Sequence, residues 1–189
     1  DNMRGEFLYD EIHNYENDIL NNCKLVKILC SNYKNVIVKT HNNEGNFYNE
    51  KKILLNLNNK NLSVITNEKK LTNLINLNDL IFFTYDATDF FNCLISNRPC
   101  IVFLNRGFFN IKKKYHNIYK YLIDVDVIIT DYKKLNNHII SINKSGIAKW
   151  WFSKNTQENI KKFNSKINVK SHNKTEDFSK ILKKVKNLL

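Results

Sequence analysis

Short apolar runs of strand length alternate along this chain with segments of helical periodicity. Val36-Ile37-Val38, Leu62 to Ile65, Leu80-Ile81-Phe82-Phe83, Cys100 to Leu104 and Val125 to Ile129 form the strand series. Between them lie helical patterns over Phe47 to Leu57, around Leu71, Leu74 and Ile75, over Ala87 to Ser96, and over Tyr115 to Ile123. A first helix, with Ile19, Leu20, Cys23, Val26 and Cys30 on one face, precedes them and ends near Asn32. Strands that are apolar on both faces must be covered on both faces. The pattern therefore predicts an α/β fold: a parallel sheet of four or more strands, helices on both sides, and the Leu80–Phe83 run at its centre. Two or three helices close the chain, and no internal repeat is evident.

A chain of 189 residues can bury one real core or at most two small ones. Residues 1–167 read as one domain. Residues 168–189 read as a polar linker, Asn168 to Thr175, and an amphipathic helix, Glu176 to Leu188. That helix shares Phe178, Ile181, Leu182, Val185 and Leu188 on one face, which suits packing on the domain or lying on a membrane surface. Because the chain opens on Asp1 instead of Met, a fragment of a longer protein is expected.

The net charge is +12, but it comes from dispersed lysines. Arginine occurs only at Arg4, Arg98 and Arg106. Nucleic-acid readers favour Arg for bidentate contacts, so nucleic acid is not the expected partner. An anionic membrane surface or a phosphorylated donor accounts equally well for the sign. Asn supplies roughly one residue in six, and Gly and Pro are scarce. That bias fits AT-rich codons, so much of the Lys and Asn content is background. Cys23, Cys30, Cys93 and Cys100 lie in apolar segments at a spacing that fits no zinc ribbon. They read as buried free thiols of a reducing compartment. No metal ligand set and no cofactor motif appears. Four glycines could hardly build a dinucleotide or P-loop signature.

In an open parallel sheet, ligands bind beyond the carboxyl ends of the strands. Three segments meet that rule: Lys39-Thr40-His41, Thr84-Tyr85-Asp86-Ala87-Thr88-Asp89, and Asn105-Arg106-Gly107. The second opens a helix, whose unpaired amides and positive dipole end suit phosphate. Thr84 and Thr88 add hydroxyls, whereas Asp86 and Asp89 oppose an anion and are also ordinary helix caps. Lys39 offers a point charge and His41 a hydrogen bond or a proton. His13, His116, His138 and His172 have no partners at ligand or triad spacing.

Taken together, these segments resemble the C-terminal, donor-binding half of GT-B glycosyltransferases. There a strand leads into an Asp/Ser/Thr loop, a helix, an N-x-P turn and another strand, matched here by Asn97-Arg98-Pro99 and Cys100 to Phe103. Capsule transferases of the β-Kdo kind and CDP-glycerol glycerophosphotransferases share this layout. The nearest resemblance is to bacterial surface-polysaccharide transferases from nonulosonate and O-antigen gene clusters. It covers about Arg4 to Phe163 and includes Arg4, Tyr9, Asp86, Thr88, Asn97, Pro99, Trp150-Trp151, Gln157 and Phe163. Two positions depart from the pattern. Asn42 stands where related chains often have Pro, and Asn92 where they often have an acid.

The resemblance implies a Rossmann-like domain that grips a nucleotide sugar, CMP-linked or linked to another nucleoside diphosphate. It implies transfer of that sugar in bacterial cell-surface polysaccharide synthesis, without a metal. Lys39, His41, Thr84, Asp86, Thr88 and Asp89 are the expected donor and phosphate contacts. Arg4, Arg106, Trp150 and Trp151 are expected near the donor or at a domain closure. The acceptor site and its catalytic base belong to a missing N-terminal domain, so the isolated chain is expected to be inactive. The expected location is the cytoplasm, against the inner face of the cell membrane. The alternative is a non-catalytic binding or scaffold module of the same doubly wound fold.

Overall fold

The computed structural model describes residues 3–40, 50–65, 74, 80–86, 88–105, 107 and 111–167, with side chains from residue 16 onward. The elements run α1 (Met3–Asn32), β1 (Val36–Lys39), α2 (Glu50–Leu55), β2 (Leu62–Ile65), β3 (Ile81–Phe83), α3 (Thr88–Ile95) and β4 (Cys100–Phe103). A single 3-10 turn (Lys113–Tyr115) then precedes α4 (His116–Ile123), β5 (Ile128–Ile129), α5 (Tyr132–Ser145), α6 (Ile147–Trp151) and α7 (Lys154–Ile167). Every strand pairing is parallel. β1 pairs with β2, and β3, β4 and β5 form a second ladder in that order. The fold is Rossmann-like α/β.

β4 shows why. All four of its residues are buried, and successive side chains point to opposite faces. Cys100 and Val102 join a cluster with Phe90 and Leu94 of α3, Tyr119 and Leu122 of α4, and Ile160 and Phe163 of α7. Ile101 and Phe103 join a second cluster with Leu25 and Leu29 of α1, Leu54 of α2, and Leu135 and Ile139 of α5. Val36 of β1 lies in that second cluster, and Val38, Leu62 and Val64 pack against it, so both sheets feed one layer of core. The cysteines are free. Cys30, Cys93 and Cys100 are buried among these apolar residues, while Cys23 is half-buried.

Two readings are corrected. The strand expected at the centre, Ile81–Phe83, pairs only with β4 among the described residues and is half-buried throughout. The central position of its ladder belongs to β4, which pairs on both sides and has all four residues buried. The fifth strand is also shorter than its apolar run. Asp126 takes a left-handed φ of 59°, and Val127 N–H donates to Leu122 C=O, so the chain wraps the end of α4 before entering β5.

Local signals explain the helix ends. Asp131 Oδ1 accepts from Lys134 N–H at 2.8 Å, capping α5. Gly146, at φ 98°, ends α5 and starts α6, a turn that an L-side chain would resist. In the short helix expected around Leu71 to Ile75, residue 74 alone is described; it is helical, and its side chain is buried. His41, Arg106, the linker and the last helix lie outside the described residues, as do the side chains of Arg4 and Tyr9. No helix among the described residues is long and apolar enough to cross a membrane.

Candidate functional site

Parallel strands bring their carboxyl ends to one edge, and a cleft of about 340 Å³ opens there. Thr84, Tyr85 and Asp86 leave β3 into it, and Leu104, Asn105 and Gly107 leave β4. Gly107 N–H donates to Leu104 C=O in a tight turn, with φ at 60°. The far wall comes from elements distant in sequence: Asp18, Asn21 and Asn22 of α1 and Glu50 at the start of α2. Asn22 Nδ2 donates to Glu50 Oε1 at 3.1 Å, tying these two helices together at the rim. Tyr132 at the start of α5 donates to Asn21 Oδ1 at 2.9 Å and packs on Phe103 from below.

Asp86 is held by a residue outside the lining. Its Oδ2 accepts from the Tyr119 hydroxyl at 2.5 Å. Tyr119 is buried. Burial, followed by the hydrogen bond to Asp86 and the carboxylate charge, pushes its phenol well above the ordinary value. The phenol is therefore a neutral donor at every physiological pH. The described lining carries three carboxylates, Asp18, Glu50 and Asp86, and no Lys or Arg. Carboxylates and Asn amides are acceptors and donors suited to hydroxyl groups, whereas a phosphate would meet like charge here.

The expected site residues divide accordingly. Thr84 and Asp86 line the cleft. Thr88 and Asp89 open α3 next to it in sequence without lining it. Lys39 ends β1, half-buried, and is not part of the lining. Its neighbour Thr40 is buried, and Thr40 Oγ1 has no hydrogen-bond partner among the described residues.

The tryptophan pair lies elsewhere. Trp151 is fully buried, and its indole N–H donates to Asn97 Oδ1 at 2.8 Å. Gln157 Nε2 donates to the same oxygen at 3.1 Å and to Trp151 C=O at 2.8 Å. Asn97, at φ 52°, thus joins the α3–β4 turn to α6 and α7. This network accounts for the spacing of Asn97, Trp151 and Gln157 by packing. Trp150 donates from Nε1 to Val125 C=O at 3.0 Å and lines a second cleft, of about 310 Å³.

That second cleft contains a pair that spacing did not reveal. His138 Nδ1 lies 3.2 Å from Asp126 Oδ2, and Lys134 Nζ lies 2.7 Å from Asp126 Oδ1. Burial alone would lift the Asp126 carboxyl; hydrogen bonds and charge from His138 and Lys134 more than offset it, and the net shift is downward. The only sequence signal was the i, i+4 pair Lys134 and His138 on α5, which places both on one helix face. Asp126 precedes β5, so this cleft lies at the amino end of the ladder, opposite the first.

A family model described as LIC12162 family transferase matches residues 10–182. No curated protein matches the chain, and no solved structure does.

Proposed function

Because the chain belongs to the LIC12162 family of transferases, we propose that it is the donor-binding part of a glycosyltransferase of bacterial surface-polysaccharide synthesis. The observation that carries this reading is the cleft beyond β3 and β4, where the expected Thr84 and Asp86 meet Asn105 and the α1 wall. Its carboxylates and amides favour the hydroxyl-bearing parts of a nucleotide sugar. The phosphates then lie outside the acidic lining, towards the amides that open α3 at Thr88 and towards Lys39 at the end of β1, with His41 and Arg106 proposed as further contacts. Catalysis in this scheme is electrostatic, with those groups stabilising the departing phosphate. An acceptor domain elsewhere supplies the base, and the lysine-rich surface favours the anionic inner face of the membrane.

Calorimetric titration with CMP and CDP, and ATP as control, tests the reading. Weak cytidine-nucleotide binding with no sugar transfer by the isolated chain is expected, since an open cleft with one wall missing buries less of its ligand. Binding of ATP as tight as that of CMP, or no nucleotide binding at millimolar concentration, would sink it.

A further inference from the structure

We infer that Tyr119 is a positioning residue for the cleft: it fixes the Asp86 carboxylate so that one oxygen faces inward and the other is tied to the protein. The inference rests on the donor-site reading above. Asp86 follows β3 in a loop, where a carboxylate would ordinarily rotate. The Tyr119 hydroxyl takes Oδ2 at 2.5 Å from a helix thirty-three residues further on. The Tyr119 ring cannot drift. It is 6% exposed and meets Phe163 of α7 edge-on at 5.4 Å. Phe163 in turn stacks on Phe91 of α3 at 6.3 Å with an interplanar angle of 4°. Two helices therefore hold the donor of the hydrogen bond, and one of them, α3, begins beside the loop that carries the acceptor.

The chemistry of the donor matters as much as its place. A lysine or arginine at this position would hold Asp86 equally well but would neutralise it. The phenol is uncharged, and no cation pairs with Asp86 among the described residues. Among the described residues Asp86 is therefore oriented by a neutral donor with no cation beside it. An oriented, unneutralised carboxylate takes hydroxyl groups of a sugar or ribose and rejects phosphate oxygens. A side chain whose partner is locked by packing loses less freedom on binding, which is the physical content of preorganisation.

The test is a double-mutant cycle read by CMP titration of the full chain. Tyr119→Phe removes one hydroxyl and keeps the ring packing, so the fold survives; its melting curve checks this. Tyr119→Phe should weaken CMP binding about tenfold, the lower end for loss of a hydrogen bond to a charged group. In an Asp86→Ala background the same change should cost less than about twofold, because the carboxylate it acts through is gone. An equal loss in both backgrounds would mean that Tyr119 acts by packing alone, and would overturn the inference while leaving the donor reading intact. No change on Tyr119→Phe would overturn it too. Failure of the unaltered chain to bind CMP would overturn the donor reading and this inference with it.

Discussion

Asp86 and Asp126 sit at opposite ends of one parallel ladder, each partly buried, and differ in the charge of their partners. Asp126 is met by Lys134 and His138, two basic side chains from a single helix face. Asp86 is met by a buried neutral phenol. A carboxylate flanked by basic groups has its capacity spent inside the protein and serves to clamp α5 to the turn before β5. A carboxylate held by a neutral donor is fixed in place with its charge intact. The same side chain thus becomes a structural tie at the amino edge and a recognition group at the carboxyl edge. Among the described residues no cation meets Asp86, and that is the rarer state for a partly buried acid, which makes the carboxyl edge the informative one.

The most severe way to break this comparison is to remove the core between the two ends. Trp151→Ala deletes a fully buried indole and strands the Asn97 oxygen. A loss of about 3–5 kcal/mol is expected, with a fall in Tm on the order of 10 °C. Calorimetric or circular-dichroism melts that moved by only a degree or two would show that the end helices are not part of the cooperative core.

A smaller effect separates the ends. Asp126→Asn should cost about 1–2 kcal/mol through weakened hydrogen bonds from His138 and Lys134, with the half-exposed Lys134 contributing the lesser share. CMP affinity should be unaffected. The pH dependence gives this variant a signature. The Asp126 pKa is lowered in the folded chain, so its stabilisation is complete above the ordinary carboxylate range near about 4. It is lost as the pH falls through the lower folded value. Urea melts of the two proteins should therefore differ at pH 7 and converge as the pH falls below about 4. A gap that stayed constant into acid would assign the loss to something other than the carboxylate charge.

The mildest change in stability is expected from Asp86→Asn. The amide oxygen still accepts from Tyr119, so unfolding should shift by less than about 0.5 kcal/mol. Affinity for CMP should fall severalfold, the reverse of the Asp126 result. If Asp86→Asn destabilised the chain as much as Asp126→Asn, the two carboxylates would both be structural and the contrast between them would disappear.

The layered fold was legible because it rests on local period. Cys100 to Phe103 is apolar at every position, and only a strand covered on both faces uses such a run. The central place of that strand was less legible than its burial: Leu80 to Phe83 is equally apolar in sequence, and the pairing that ranks the two is a long-range fact. Of the cleft, the segment Thr84 to Asp86 was legible from its place after a strand. Its partner Tyr119 was hidden, since nothing local distinguishes it from Tyr115 or Tyr121 in a helix that was read for its apolar face. Asp18, Asn21, Asn22 and Glu50 were hidden for another reason. They come from helices distant from the loop, and in a chain so rich in Asn a lining amide looks like background. The tryptophan pair shows the opposite case, a conspicuous spacing whose physical content is a hydrogen-bonded core.

Asn97 carries one more consequence. Its side-chain oxygen takes the indole proton of Trp151 and an amide proton of Gln157, so α6 and α7 are stitched to the turn that launches β4. These helices end the described part of the chain, where fraying ordinarily begins. With the indole at zero exposure and its donor engaged, they cannot peel away without opening the centre of the sheet. The last two described helices therefore exchange protons with solvent on the clock of the whole molecule, and the Trp151 indole proton keeps that time.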